Sequence, residues 1–235
     1  MKPGKIIEMM AGIGLLLFLP VGCHKSNSSS NSPGPETGTL QDVEGNVYKT
    51  VKIGSQWWMA ENLKTGRFND NTSIPYVTDI AAWANLTTPA FCFYNNDSAS
   101  FKSVYGALYN WYAVHTGKLA PAGWHVPTEA DWTTLINYLG GFATAGGKMK
   151  ETGTGRWESP NTGADNSSGF TGLPGGIRLT FGYRNLGLVA FWWSSDDSTQ
   201  CCTSDHSLYY DYSFIAPNDY SPKVYGMSVR CIRDP

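Results

Sequence analysis

Four histidines, five cysteines and nineteen acids are the groups with which this 235-residue chain could do acid–base, nucleophilic or metal chemistry. The densest grouping is PAGWHVPTEADWTTLINYLGG (121–141), where His125 precedes Glu129 and Asp131. A general base needs a partner within hydrogen-bond reach and a face toward substrate. Both acids, however, fall in the first turn of an amphipathic pattern, where the positive end of a helix attracts carboxylates whatever the function. Thr128 is read as the N-cap and Asp131 as its capping-box partner. His125 is therefore assigned to the turn, its imidazole bonding backbone ahead of Pro127.

No other spacing builds a reaction centre. GxSxG is absent, so a serine nucleophile on a hydrolase elbow has no support. Asp196 and Asp197 are the right groups for glycoside hydrolysis, but sequence cannot supply the separation that mechanism demands. HExxH, CxxC and the EF-hand loop are all missing, so no metal ligand is assigned. A structural calcium on Asp196, Asp197 and Asp205 is the one cation site these acids suggest. No catalytic residue and no cofactor are expected.

Aromatic residues are the other recognition chemistry, with 9 Trp, 13 Tyr and 10 Phe. Rings bordered by Asp, Asn and Ser suit sugars, which offer a flat apolar face with polar groups around it. Trp157 in GRWESPN, Trp192 and Trp193 beside Asp196 and Asp197, and Tyr209 in YYDY fit that description. For Trp192 and Trp193 the core is the stronger claim. Trp157, in a polar glycine-flanked loop, is the expected exposed ring.

The elements that must position these groups follow an export signal. Lys2 and Lys5 precede the apolar run MMAGIGLLLFLPVG (9–22), too short to span as a mature helix and directly followed by Cys23. This layout resembles a bacterial lipobox, with Pro20 where leucine is usual, and makes Cys23 the expected site of lipid attachment. Residues 1–22 are thus a lipoprotein signal peptide, and residues 23–39 a flexible Ser/Asn/Pro tether. Residues 40–235 are one domain. The net charge of −2, with no basic block, argues against nucleic acid.

Four further cysteines in an oxidising compartment allow three disulfide connectivities. Cys231 alternates with Met227 and Val229, and Cys92 sits in the apolar AFCFY, so Cys92–Cys231 is the preferred pair. Cys201 and Cys202 are then vicinal or free.

Period-two alternation over 46–53, Gly54-Ser55 and the apolar QWWMA predict a hairpin. Helical spacing predicts a first helix over 104–115. The second runs from Thr128 through Trp132, Leu135, Ile136 and Leu139 to a glycine stop at Gly140-Gly141. The glycine-rich stretch 146–176 reads as a long loop region. Strand-like runs return at 176–183, 189–196, 207–214 and 225–233. This order is α+β.

WWMAENL, YNND (94–97), YGALYNWYAV, PAGWHVPTEADW, GFTGLPGG, FWWSS and GMSVRCIRD occur here in one series. Together, over about residues 41–234, they closely resemble the Fibrobacter succinogenes major paralogous domain of secreted proteins and lipoproteins. Ala120 replaces a cysteine found before the PAGWHVP block in many members, and Cys201-Cys202 lies outside the shared pattern. More distantly, WHVPTEADW and GMSVRC look like blocks of the formylglycine-generating enzymes. That likeness implies a C-type-lectin-like fold: a mostly antiparallel sheet uniting both ends of the domain, two flanking helices and a loop face. The resemblance carries no settled activity. The tether, the missing catalytic groups and the lectin-like analogy together point to a non-catalytic, lipid-anchored outer-membrane module binding a glycan or protein partner through a loop-rich aromatic face. An enzyme related to formylglycine-generating proteins and a purely structural envelope component are the alternatives.

Overall fold

The computed structural model describes residues 34–235, with backbone alone at 217–219. The signal segment, Cys23 and the tether as far as residue 33 lie outside the described residues.

Short elements alternate along the chain. β1 (Thr37–Gln41), β2 (Val47–Ile53) and β3 (Gln56–Met59) open the domain, followed by α1 (Ile80–Ala84) and β4 (Phe91–Cys92). Next come α2 (Ser98–Tyr105), β5 (Leu108–Tyr109), α3 (Trp111–His115), β6 (Trp124–His125), α4 (Glu129–Tyr138) and α5 (Phe142–Met149). β7 (Gly175–Leu179), β8 (Gly182–Leu186), β9 (Val189–Trp193), β10 (Cys202–Tyr209), β11 (Ile215–Pro222) and β12 (Ile232–Arg233) complete it. The architecture is mixed α and β, mostly sheet.

One sheet has the order β1-β2-β3-β12-β6, so the two ends of the domain pair, with Ile232 opposite Trp58. The second, β11-β10-β9-β7-β8, is antiparallel except between β7 and β9. β4 and β5 form a small third sheet. In the first sheet Tyr48 and Met59 enter one core, while Val51, Ile53 and Trp58 enter another on the opposite face. Successive strand residues point to opposite faces, and β9 uses this in the same way. Trp192 joins the second core with Trp132 and Phe170, and Trp193 joins the first with Tyr109 and Val229.

Several sequence expectations change. β1 begins at Thr37, opposite Val51, so the predicted tether ends sooner than residue 39. The helix expected over 104–115 is three elements. Gly106 at φ +75° ends α2, and Asn110 caps α3 through the Ala113 amide. The structure therefore has more and shorter helices than the two expected. The region expected as loop over 146–176 opens inside α5, where Gly146 and Gly147 lie in the helix and are buried. Of 225–233, Gly226, Met227 and Ser228 form isolated bridges to three different elements and only Ile232–Arg233 is strand, while Met227, Ser228, Val229 and Arg230 are all buried.

Cys92 and Cys231 do not pair. Cys92 is a free thiol among Trp83, Tyr94 and Leu108, and Cys231 a free thiol in the first core. Burial pushes both thiols above their ordinary pKa.

Three buried cations are held mainly by oxygen dipoles. Arg178 donates to the carbonyls of Val77, Thr78 and Asp79 and lies 4.2 Å from the Trp83 ring. The Lys150 ammonium donates to the carbonyls of Thr162, Tyr209 and Tyr212. Arg230 donates to Asn62 Oδ1 and to the carbonyls of Met59, Phe170 and Thr171. Each draws loop backbone inward and satisfies acceptors that burial would otherwise leave bare.

Candidate functional site

The aromatic residues nominated from sequence do not form a face. Trp157 is 1% exposed: its indole N–H donates to the Gly172 carbonyl, and Lys150 lies 5.5 Å from its ring. The polar loop around it turns the ring inward, because an indole has both an apolar body to bury and a donor to satisfy. Trp192 and Trp193 are fully buried, donating to Asn62 Oδ1 and the Tyr109 carbonyl.

The polar candidates separate as well. Asp196 accepts from the Glu129 amide at the start of α4, and Asp197 pairs with Lys223 at 2.6 Å. Tyr209 lies at the other end of the eight-residue β10, against Tyr212 and Phe214. At ~3.3 Å per residue those ends stand roughly 23 Å apart. Among the described residues, no three or more His, Cys, Asp or Glu side chains form a metal-binding group, so the calcium reading of Asp196, Asp197 and Asp205 is set aside. His206 is buried, stacked 4.5 Å from Trp132 and bonded to Glu129 at 3.2 Å, whereas Cys201 is exposed.

His125 differs from its expectation in its partners. Its ring meets two carboxylates, Nδ1 to Asp234 at 2.7 Å and Nε2 to Asp131 at 3.2 Å, instead of backbone. Asp131 and Thr128 complete a reciprocal capping box, so the histidine ties the C-terminal segment to the cap of α4. Beside it, Trp57 lies half-exposed, with the Arg233 guanidinium 5.1 Å from its ring. Burial raises the Asp131 carboxyl, but bonds from the Thr128 hydroxyl and amide and from His125 outweigh it, and the net pKa is lowered. A depressed folded pKa stabilises above the unfolded value of about 3.9, and the benefit is lost as pH falls through the lowered one. Asp131→Ala is expected to cost about 1–2 kcal/mol at pH 7. Urea titrations across pH should show the wild-type advantage shrinking below about pH 4.

The loop region instead helps to form a charged groove. Lys49 of β2, Glu61, Asn62 and Lys64 after β3, Lys102 of α2, and Glu151, Arg156, Thr171 and Leu173 of the loops surround a cavity of about 260 Å³. A neighbouring hollow of about 350 Å³, reaching Pro35 and Gly169, shares Lys49, Ala60 and Thr171 with it. Arg156 is neutralised by Glu151, and Glu61 accepts the Lys49 backbone amide. The ammonium groups of Lys49, Lys64 and Lys102 have no carboxylate partner among the described residues. Lys64 rests 4.9 Å from the Tyr48 ring and Lys102 5.9 Å from the Phe93 ring, which steers both stems without neutralising them.

The groove floor is rigid. Asn62 donates to the Tyr105 carbonyl and the Ser228 hydroxyl, and accepts from Trp192 and Arg230. That occupies its full amide valence. Sequence reading missed the lysines because they are scattered from 49 to 102 with no local motif. Only the fold brings them together.

The family model described as the Fibrobacter succinogenes major domain matches residues 51–233. The chain belongs to this family. No curated protein and no solved structure matches it. In this Fibrobacter succinogenes major domain, five of the seven blocks that carried the resemblance converge on one node. Met59 and Asn62 come from WWMAENL, Tyr105 from YGALY, and Phe170 and Thr171 from GFTG. Trp192 comes from FWWSS, and Ser228 and Arg230 from GMSVRC.

Proposed function

We propose that this protein is a non-catalytic cell-envelope module, C-type-lectin-like in fold, held at the outer membrane by acylated Cys23, and that it binds an anionic glycan in the groove above Asn62. The observation that carries the reading is three unneutralised lysines, Lys49, Lys64 and Lys102, around a floor already fixed by hydrogen bonds. A preorganised floor lowers the ordering cost of binding. Unpaired ammonium groups attract uronate or sulfate oxygens at modest energy per contact, and salt screens them.

The test is an array of neutral, uronate-bearing and sulfated glycans probed at low and high salt, followed by titration of the best binder. Acidic glycans should bind and neutral ones should not, with affinity falling as salt rises. Lys49→Ala, Lys64→Ala and Lys102→Ala combined should weaken binding at least about tenfold, equivalent to ~1.4 kcal/mol. A blank array, or binding unchanged in the triple variant, would refute the groove. Retention by an acidic envelope protein in place of any glycan would move the same groove to a protein partner.

A further inference from the structure

Cys201 and Cys202 are the two thiols of the described domain that are not buried, and they stand where β10 begins. Their sulfurs lie 2.8 Å apart, well inside the ordinary contact distance of two sulfur atoms. The turn around them is closed on itself: the Cys202 amide donates to the Thr199 hydroxyl, and that hydroxyl donates to the Cys202 carbonyl. From the facing strand's end, the Lys223 amide donates to the Cys201 carbonyl. We propose that Cys201 and Cys202 are a redox modification site, a vicinal dithiol that exchanges with external disulfides and closes into an eight-membered disulfide ring. Nothing in this inference depends on the groove.

The roles of the two sulfurs differ. Cys201 is exposed, and its thiol is held below the ordinary value first by its contact with Cys202 and then by that with the Thr199 hydroxyl, with Lys223 adding a favourable charge. Cys202 is shifted the other way, first by its bond to Cys201 and then by burial. In the exchange, the Cys201 thiolate attacks one sulfur of an external disulfide, forming a mixed disulfide and expelling one thiolate. The Cys202 thiolate then attacks Cys201 Sγ, breaks the mixed disulfide and expels the second. Two protons leave the cysteines, and the protein loses two electrons to the external disulfide, which becomes two thiols. Adjacent Cα atoms are about 3.8 Å apart, below the usual disulfide range of about 4.4–6.8 Å. Strain of that kind favours reduction, so the ring should be reversible rather than a permanent brace.

The test uses the full chain, reduced, freed of reductant and incubated natively with oxidised glutathione, then digested with trypsin. No Lys or Arg lies between Arg184 and Lys223, so one peptide carries both thiols and no other cysteine. That peptide should lose two hydrogens, resist alkylation and recover both thiols under mild reductant. Cys202→Ser should stop at one glutathione on Cys201. The proposal is overturned if the wild-type peptide keeps two alkylatable thiols, if it stops at the glutathione adduct, or if Cys201 is joined to a different cysteine.

Discussion

Arg230→Met is expected to lower the stability of the domain by about 3–5 kcal/mol, the range for breaking a buried charged contact. Arg230 is fully buried, and its guanidinium binds the side chain of Asn62 and the carbonyls of Met59, Phe170 and Thr171. Exchanging a buried ion pair for apolar residues can be neutral when both partners are replaced. Here three of the acceptors are main-chain carbonyls, which no substitution removes. Methionine fills much of the volume but leaves those oxygens facing apolar surroundings, at ~1–3 kcal/mol for each unsatisfied group and less than additively. The Phe170 and Trp192 rings, 4.3 and 5.7 Å from the guanidinium, lose a cation as well. For a domain this size a midpoint drop of about 10 °C follows. Chemical denaturation is the measurement, and a loss under about 1 kcal/mol would mean that the node is not what joins these segments.

The second large effect reverses a familiar sign. Alanine in place of a helical glycine ordinarily stabilises by roughly 0.5–1 kcal/mol. Gly146→Ala, in α5, is expected to destabilise by about 3 kcal/mol instead, at the upper end of overpacking costs. A Cβ there would fall 2.5 Å from the Phe214 carbonyl carbon and 2.7 Å from the Ser213 oxygen, and against the Phe214 oxygen itself. All are backbone atoms with no rotamer to yield, and the Gly147 amide already donates to the Ser213 carbonyl. A helix-surface control such as Ala143→Gly should lose stability by the ordinary propensity alone. If Gly146→Ala melted above the wild type, the close packing of α5 on this segment would be wrong.

These sites show what sequence could and could not reveal. The capping box, the glycine stop after α4, the β2–β3 hairpin and the pairing of both domain ends were readable because each depends on local chemistry or on a recognised block. The glycines of α5 suggest a loop in sequence, whereas Gly146 makes room for the Ser213-Phe214 backbone and Gly147 for that of Gly163, reasons that propensity cannot express. Trp157 was misplaced because its burial depends on the Gly172 carbonyl and on Lys150, neither of which its polar flanks reveal. The Cys92–Cys231 pairing failed because two apolar neighbourhoods look alike in sequence but here belong to separate cores. The groove lysines carried no signal, since their charges converge only after β2, the segment following β3 and α2 are packed.

Asn62 and Arg230 are buried and fixed by hydrogen bonds, whereas Lys49, Lys64 and Lys102 line the groove without being buried. Frame and rim therefore make separate demands. Surface lysines away from the core can change at a cost generally within about 0.5 kcal/mol, while the buried node tolerates almost nothing. One chassis could thus be re-aimed at a different partner by repainting a few rim positions, leaving the interior joinery untouched.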